Sequence, residues 1–262
     1  MKKLTVVKVG GRIVEEDKAL STLLTNFCLL DGYRVLVHGG GRSATDLAAR
    51  LGIESRMVNG RRVTDEEMLK VVVMVYGGWI NKRIVAGIES LGLDAIGLTG
   101  ADINVMRSIR RPKGEVDYGF VGDIFEVRSD VLVHFLRENI IPVLAPITHD
   151  RQGNLLNTNA DTIAGATAEV LSRDFEVTLI YCFEKPGVLM DESDETSVIP
   201  EITYRSFRQY VSEGIIQGGM IPKLENALEA SERGVSKIII TNLKGILTGR
   251  GTRVSFVSCK SE

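Results

Sequence analysis

A chain of 262 residues, 44% hydrophobic and 25% charged, can bury a full core, either as one large α/β domain or as two small ones. Its 32 Lys and Arg stand against 34 Asp and Glu, so there is no basic excess to attract a nucleic acid or an anionic membrane, and any anion must be bound locally. Cys28, Cys182 and Cys259 are far apart and odd in number, and His38, His134 and His149 lack metal-ligand spacing; a reduced, cytoplasmic protein without a bound transition metal is expected.

The first apolar run, Leu4 to Val7, is interrupted by Lys8 too soon for a signal peptide and reads as a buried first strand over Leu4–Val9. A lysine inside an apolar strand is costly unless it meets a negative partner or lies at an edge with its ammonium in water. Gly10 and Gly11 follow this strand directly, before a helix from about Glu15. A second strand, Arg34–His38, runs into "HGGGRSATDL" and a helix from Ser43. Gly39, Gly41 and Ala44 match the dinucleotide fingerprint, but no clean strand leads to the acidic residue required about 20 positions later. Two glycine turns at the ends of two strands can instead converge their free N–H groups on one polyanion, where a dinucleotide needs a single turn. Walker A is absent.

Helical patterns fill Asp65 to Leu91. Met68, Val71, Val72, Val75, Tyr76 and Trp79 form one stripe, while Val73 and Met74 make the opposite side apolar. The run Val71–Ile80 is far shorter than the roughly 20 residues of a bilayer span, so the helix is expected to meet its own core and a second subunit. There follow a strand at Asp94–Leu98, a hairpin-like stretch around Asp117–Val127, a helix near Asp130–Glu138 and a strand at Ile140–Ala145. The remainder reads as a helix from Ala160, a strand at Val177–Tyr181, a helix from Pro222 and a strand at Lys237–Ile240. Such alternation predicts an α/β fold with a mostly parallel sheet covered on both faces. The nearest thing to a boundary is "LSRDFEV", Leu171 to Val177, and acidic "MDESDET", Met190 to Thr196, reads as a solvated loop.

The segments "VVKVGGR", "VLVHGGGRSATDL", "VNGRRVT", "GLTGAD", "VGDIFEV", "IPVLAPI", "NLLNTNADTIAGATAEVL", "GIIQGGMIPKLENAL" and "GTRV" occur in an order that resembles the amino-acid kinase family. Within it, the resemblance is to the branch that phosphorylates an N-acylated glutamate in arginine biosynthesis, and it reaches to within ten residues of the end. It implies an αβα sandwich around a central sheet of about eight mainly parallel strands. Residues 1–172 would form an N-terminal lobe with the acyl-amino-acid site and a dimer interface, and residues 173–262 a C-terminal lobe with ATP. The implied reaction joins a γ-carboxylate to the γ-phosphoryl of MgATP, with magnesium carried by the phosphates and water and no protein metal site.

By the same resemblance Lys8 and Lys223 would flank the phosphoryl group, with Asp161 between them as an orienter; the alternative reading of Asp161 is a helix cap. Gly10, Gly11, Gly40 and Gly41 would donate N–H groups to the phosphoryl and the carboxylate. Arg62, Asn157 and Asn159 would bind the acyl-amino acid, with Arg61 solvated, and Glu184, Gly219, Met220 and Lys223 would face the nucleotide. Glu184 and Phe183 depart from the family, which carries an Asp and a small hydroxyl residue there. The expected acceptor is N-acetyl-L-glutamate. N-succinyl-L-glutamate is the rival, since the basic stretch Arg107, Arg110, Arg111 and Lys113 could receive a further carboxylate if it is not simply a solvated loop. A first strand beginning at about Lys3 leaves no room for the N-terminal helix of arginine-inhibited hexamers, so a homodimer indifferent to arginine is expected. Rival readings are a sibling kinase, a non-catalytic amino-acid sensor on the same fold, and an NAD oxidoreductase.

Overall fold

Lys2–Val9 forms the central strand β1 because it can be buried on both sides: Leu4 and Val6 enter one hydrophobic layer, Val7 and Val9 the other. The structure, a computed structural model, describes residues 1–58 and 60–256; Asn59 of "VNGRRVT" and Cys259 lie outside the described residues. After β1 come α1 (Gly11–Glu15), α2 (Asp17–Cys28), β2 (Tyr33–His38) and α3 (Gly41–Arg50). A two-stranded flap, β3 (Met57–Val58) and β4 (Arg61–Arg62), precedes α4 (Glu66–Val72), a π-helical segment (Val73–Ile80) and α5 (Asn81–Glu89). The middle of the chain holds β5 (Ala95–Leu98), β6 (Met106–Arg110), β7 (Gly122–Val127), α6 (Ser129–Arg137), β8 (Ile141–Leu144), β9 (Ile147–His149), β10 (Leu155–Asn157) and α7 (Ala160–Leu171). The last part comprises β11 (Phe175–Cys182), β12 (Glu201–Thr203), α8 (Tyr204–Ser212), α9 (Met220–Glu232), β13 (Lys237–Thr241), α10 (Gly245–Thr248) and β14 (Thr252–Ser255).

The main sheet has eight strands in the order β12-β14-β13-β11-β1-β2-β8-β5. All neighbours are parallel except β13 and β14. One face is covered by α6, α7, α8 and α9, the other by α1 to α5 and α10, which is the expected αβα layering. β1 pairs with β2 on one side and with β11 on the other, so the strand order reverses beside β1. A crevice at the carboxyl ends of β1, β2 and β11 is where an open α/β sheet binds its ligand.

Several expected elements differ. The single helix from Glu15 is two helices beginning at Gly11, separated at Glu16, whose backbone is extended (φ −91°, ψ 121°). The hairpin expected around Asp117–Val127 is β6 with β7, Asp117 lying in their connection, and it belongs to a four-stranded sheet, β10-β9-β6-β7. The short β12, α8 and β14 had no clear sequence signal.

The long helix departs most. Straight α-geometry would place Trp79 in the stripe begun by Met68, but Trp79 is 63% exposed. The π-helical winding holds more residues per turn, so beyond Tyr76 the buried side shifts to Ile80, Asn81, Ile84 and Ile88. Gly77 and Gly78, in the middle of that segment, lower the resistance to rewinding. Glu66–Glu89 is long and apolar enough to cross a bilayer by length and composition, yet one side of it is embedded in the core under β2 and β8.

Gly119 ties the segment after the flap to the connection between β6 and β7: it bridges to Thr64, whose N–H donates to Tyr118 and whose carbonyl accepts from Phe120. It has φ +73°, and a Cβ there would fall 2.2 Å from the Thr64 carbonyl oxygen. Gly119→Ala is therefore expected to destabilise the fold by about 1–3 kcal/mol, read as a lowered Tm. An unchanged Tm would show that this contact does not hold the loop.

Candidate active site

Lys8 lies near the carboxyl end of β1 and faces the layer that contains α7 and α9. Alternation along the strand leaves it no way to reach solvent, and its side chain is only 10% exposed. Its ammonium meets the Asp161 carboxylate at 2.9 Å, and Lys223, on the first turn of α9, meets the same carboxylate at 3.2 and 3.3 Å. Asn159, not Asp161, caps α7: its side-chain oxygen accepts the N–H groups of Asp161 and Thr162 at 2.8 and 3.2 Å. Asp161 is thus free to bridge the lysines. Burial alone would raise its pKa, but Lys8 and Lys223 outweigh that and hold it at about 2. Lys223 is lowered, first by burial and then by repulsion from Lys8. The Tyr181 ring lies 5.7 Å from the Lys223 ammonium, and its hydroxyl donates to the Asp161 carbonyl.

The two glycine turns do converge. A Cβ on Gly11 would sit 3.5 Å from both the Gly40 and the Gly41 nitrogen, at the adjoining N-termini of α1 and α3. Gly10 is the exception among the expected donors, because its N–H is committed to the Cys182 carbonyl at 3.0 Å and knits β1 to β11. Glu15 was missed by the sequence reading. It accepts from the Ser43 backbone and hydroxyl at 2.7 and 3.0 Å, docking α1 against α3.

Across the cleft, Arg62 on the flap donates to the Gly41 carbonyl and the Thr45 hydroxyl at 2.7 and 2.9 Å, and to Ser55. These bonds fix the guanidinium plane while leaving N–H groups for a carboxylate. Asn157 donates to the Thr64 hydroxyl at 3.0 Å. One cleft is lined by Lys8, Gly39, Gly40, Gly41, Arg61, Arg62, Tyr76, Asn157, Asn159 and Asp161. Arg61 is therefore half-buried at the rim and not solvated as expected, and Tyr76 is an addition that the sequence did not mark. The basic stretch turns back on its own hairpin: Arg107 pairs with Glu126, Arg111 with Asp123 and Lys113 with Asp117, while Arg110 stacks on Phe120.

The residues expected around the nucleotide do not gather in one cavity. Met220 lines a cleft with Phe183, Lys185, Gly187, Leu189 and Gln217, which also takes in Met190, Asp191 and Glu192 of the acidic loop. Glu184 is exposed, 3.8 Å from Arg12, on a neighbouring cleft with Asn242 and Lys244. Gly219 caps α9 in open space.

Helix N-termini and two lysines held on one carboxylate, at the switch point of a parallel sheet, form an anion-handling site of the phosphotransferase kind. A model of the amino acid kinase family matches residues 3–242, and the chain belongs to that family. It is 63% identical over 254 residues to an acetylglutamate kinase of Parabacteroides distasonis, covering 97% of this chain and 100% of that one. It is 62% identical to an acetylglutamate kinase of Bacteroides thetaiotaomicron, covering 96% and 98%. Among solved structures, smu.665 from Streptococcus mutans superposes with a TM-score of 0.81 at 27% identity, covering 96% of this chain and 98% of that one.

Asp161→Asn would leave two ammonium groups facing one another without a counter-charge. Because the native carboxyl is held at about 2, its contribution to stability is complete above the ordinary carboxylate pKa of about 3.9 and is lost as pH falls towards 2. The Tm deficit of the variant should accordingly be full at neutral pH and shrink as the pH drops below about 4. A deficit independent of pH would contradict the assigned ionisation.

Proposed function

We propose that the chain transfers the γ-phosphoryl group of ATP to the γ-carboxylate of N-acetyl-L-glutamate, giving the acyl phosphate and ADP. The observation that carries this is the Lys8–Asp161–Lys223 bridge beside two glycine turns, in a chain closely similar to acetylglutamate kinases. The acceptor carboxylate is ionised at neutral pH and needs no general base. The barrier the protein can address is the approach of two anions, so positioning and fixed positive charge perform the catalysis. Lys8 neutralises the transferring group on the acceptor side and Lys223 the oxygen leaving with ADP. Asp161 holds both ammonium groups in place. The N–H groups of Gly11, Gly40 and Gly41 serve the equatorial oxygens and the incoming carboxylate.

Arg62 receives the α-carboxylate, and the amide N–H groups of Asn157 and Asn159 face the rest of the acyl-amino acid. ATP enters from the side of residues 173–262, its base and ribose in the cleft of Phe183, Gln217 and Met220. Magnesium arrives on the nucleotide, held by phosphates and water, in keeping with its preference for retaining waters over an all-protein cage. Free Cys28 and Cys182 suit a reducing, cytoplasmic setting.

In steady-state assays, Lys8→Ala and Lys223→Ala are each expected to lower kcat by about 100-fold or more, whereas Arg62→Ala mainly raises the acceptor KM. Unchanged turnover in both lysine variants would sink the mechanism. N-acetyl-L-glutamate should have the higher kcat/KM against N-succinyl-L-glutamate. The basic stretch is already paired within its hairpin, so a succinyl preference abolished by Arg61→Ala would reassign the acceptor and identify its second carboxylate receptor.

The same helix that flanks the cleft supports assembly as a homodimer. Met74 and Trp79 are 52% and 63% exposed on its outer side. Light scattering should give a dimer that Trp79→Glu converts to a monomer; a monomeric wild type would refute the interface.

A further inference from the structure

We infer that His38 and Asn81 are a positioning pair that aims the Gly40 N–H at the transferring phosphoryl group, an inference that rests on the kinase reading. His38 ends β2 and is fully buried, and nothing in the mechanism above uses it. Its Nδ1 lies 2.8 Å from the Gly39 carbonyl oxygen, an atom that only accepts, so Nδ1 carries the proton. Its Nε2 lies 3.2 Å from the Asn81 amide nitrogen, which also donates to the Val143 carbonyl at 3.0 Å. The Val143 bond fixes which way the Asn81 amide faces, and that amide leaves Nε2 as an acceptor. The ring is thereby locked as one neutral tautomer.

The Gly39 carbonyl and the Gly40 N–H belong to the same planar trans peptide and point in opposite directions. A donor that holds the carbonyl on the core side turns the N–H towards Gly11 and the cleft. Space is controlled from the same helix: a Cβ on Gly40 would fall 2.3 Å from Ile80 Cδ1 and 3.0 Å from Tyr76 Cδ1. Asn81 directly follows Ile80, so the π-helical segment sets both the packing against Gly40 and the reach of the amide to His38. Burial lowers the His38 pKa to about 4 against the raising effect of the Gly39 bond, which keeps the ring neutral at working pH.

The test combines kinetics with histidine NMR on the full chain. His38→Leu should lower kcat by about 10- to 100-fold, with both KM values changed little. His38→Asn, whose amide can occupy the Nδ1 position and donate to the same carbonyl, should recover most of the kcat even where both variants lose similar Tm. With ¹⁵N-labelled histidine, His38 should show a protonated Nδ1 and an unprotonated Nε2. Equal kcat in the Leu and Asn variants, or the opposite tautomer, would overturn the pair. A wild type active on N-acetyl-L-glutamate but indifferent to His38→Leu would overturn this inference alone; a wild type without kinase activity would overturn the kinase reading and the role with it.

Discussion

One buried carboxylate holding two ammonium groups organises this molecule. Asp161 comes from α7, Lys8 from β1 and Lys223 from α9, so the bridge joins the central strand to the two helices that cover it. Removing Asp161 leaves two ammonium groups without a counter-charge in a site where side chains are 10–15% exposed, whereas removing either lysine leaves a balanced pair. The cluster keeps an excess of one positive charge, and that excess is what an incoming anion meets. Its position follows from the sheet: β1 is where strand order reverses, and the glycine turns after β1 and β2 begin the helices whose N-termini adjoin one another, that of α3 lining the cleft.

The layered α/β fold was legible because parallel strands buried on both faces read as continuous apolar runs separated by helical patterns. Lys8 was legible for a related reason, since a charge in such a run needs a partner. The convergence of the glycine turns could be argued from their placement after two strands, but which N–H groups remain free could not. The Gly10 amide is taken by a carbonyl of β11, a contact more than 170 residues away in sequence. Arg62 could be proposed as a carboxylate receptor, yet the bonds that orient it come from α3 and Ser55 and carry no local signature.

Other features were hidden because they depend on pairings formed only in the folded chain. The basic stretch looked like a candidate anion receptor until the β6–β7 hairpin and its connection brought an acid or an aromatic ring to each basic residue. Glu184 and Met220, neighbours in the expected nucleotide set, line different clefts. His38 carried no spacing cue of any kind. Its partner Asn81 becomes buried only because the helix between them is not wound as a regular α-helix.

That winding has a consequence for how the chain can vary. In a regular α-helix each residue turns the next by about 100°, so the buried side is set by identity and period. In Val73–Ile80 the extra residue per turn is what carries Asn81 inward and Trp79 outward. Substitutions here change a contact, whereas regular winding of the same number of residues would rotate everything downstream, withdrawing Asn81 from the core and pressing the indole into it; a regular α-helix could present Ile80 and Asn81 inward only with one residue fewer. Alignment of the phosphoryl site is thus encoded in the length of this stretch as much as in its letters.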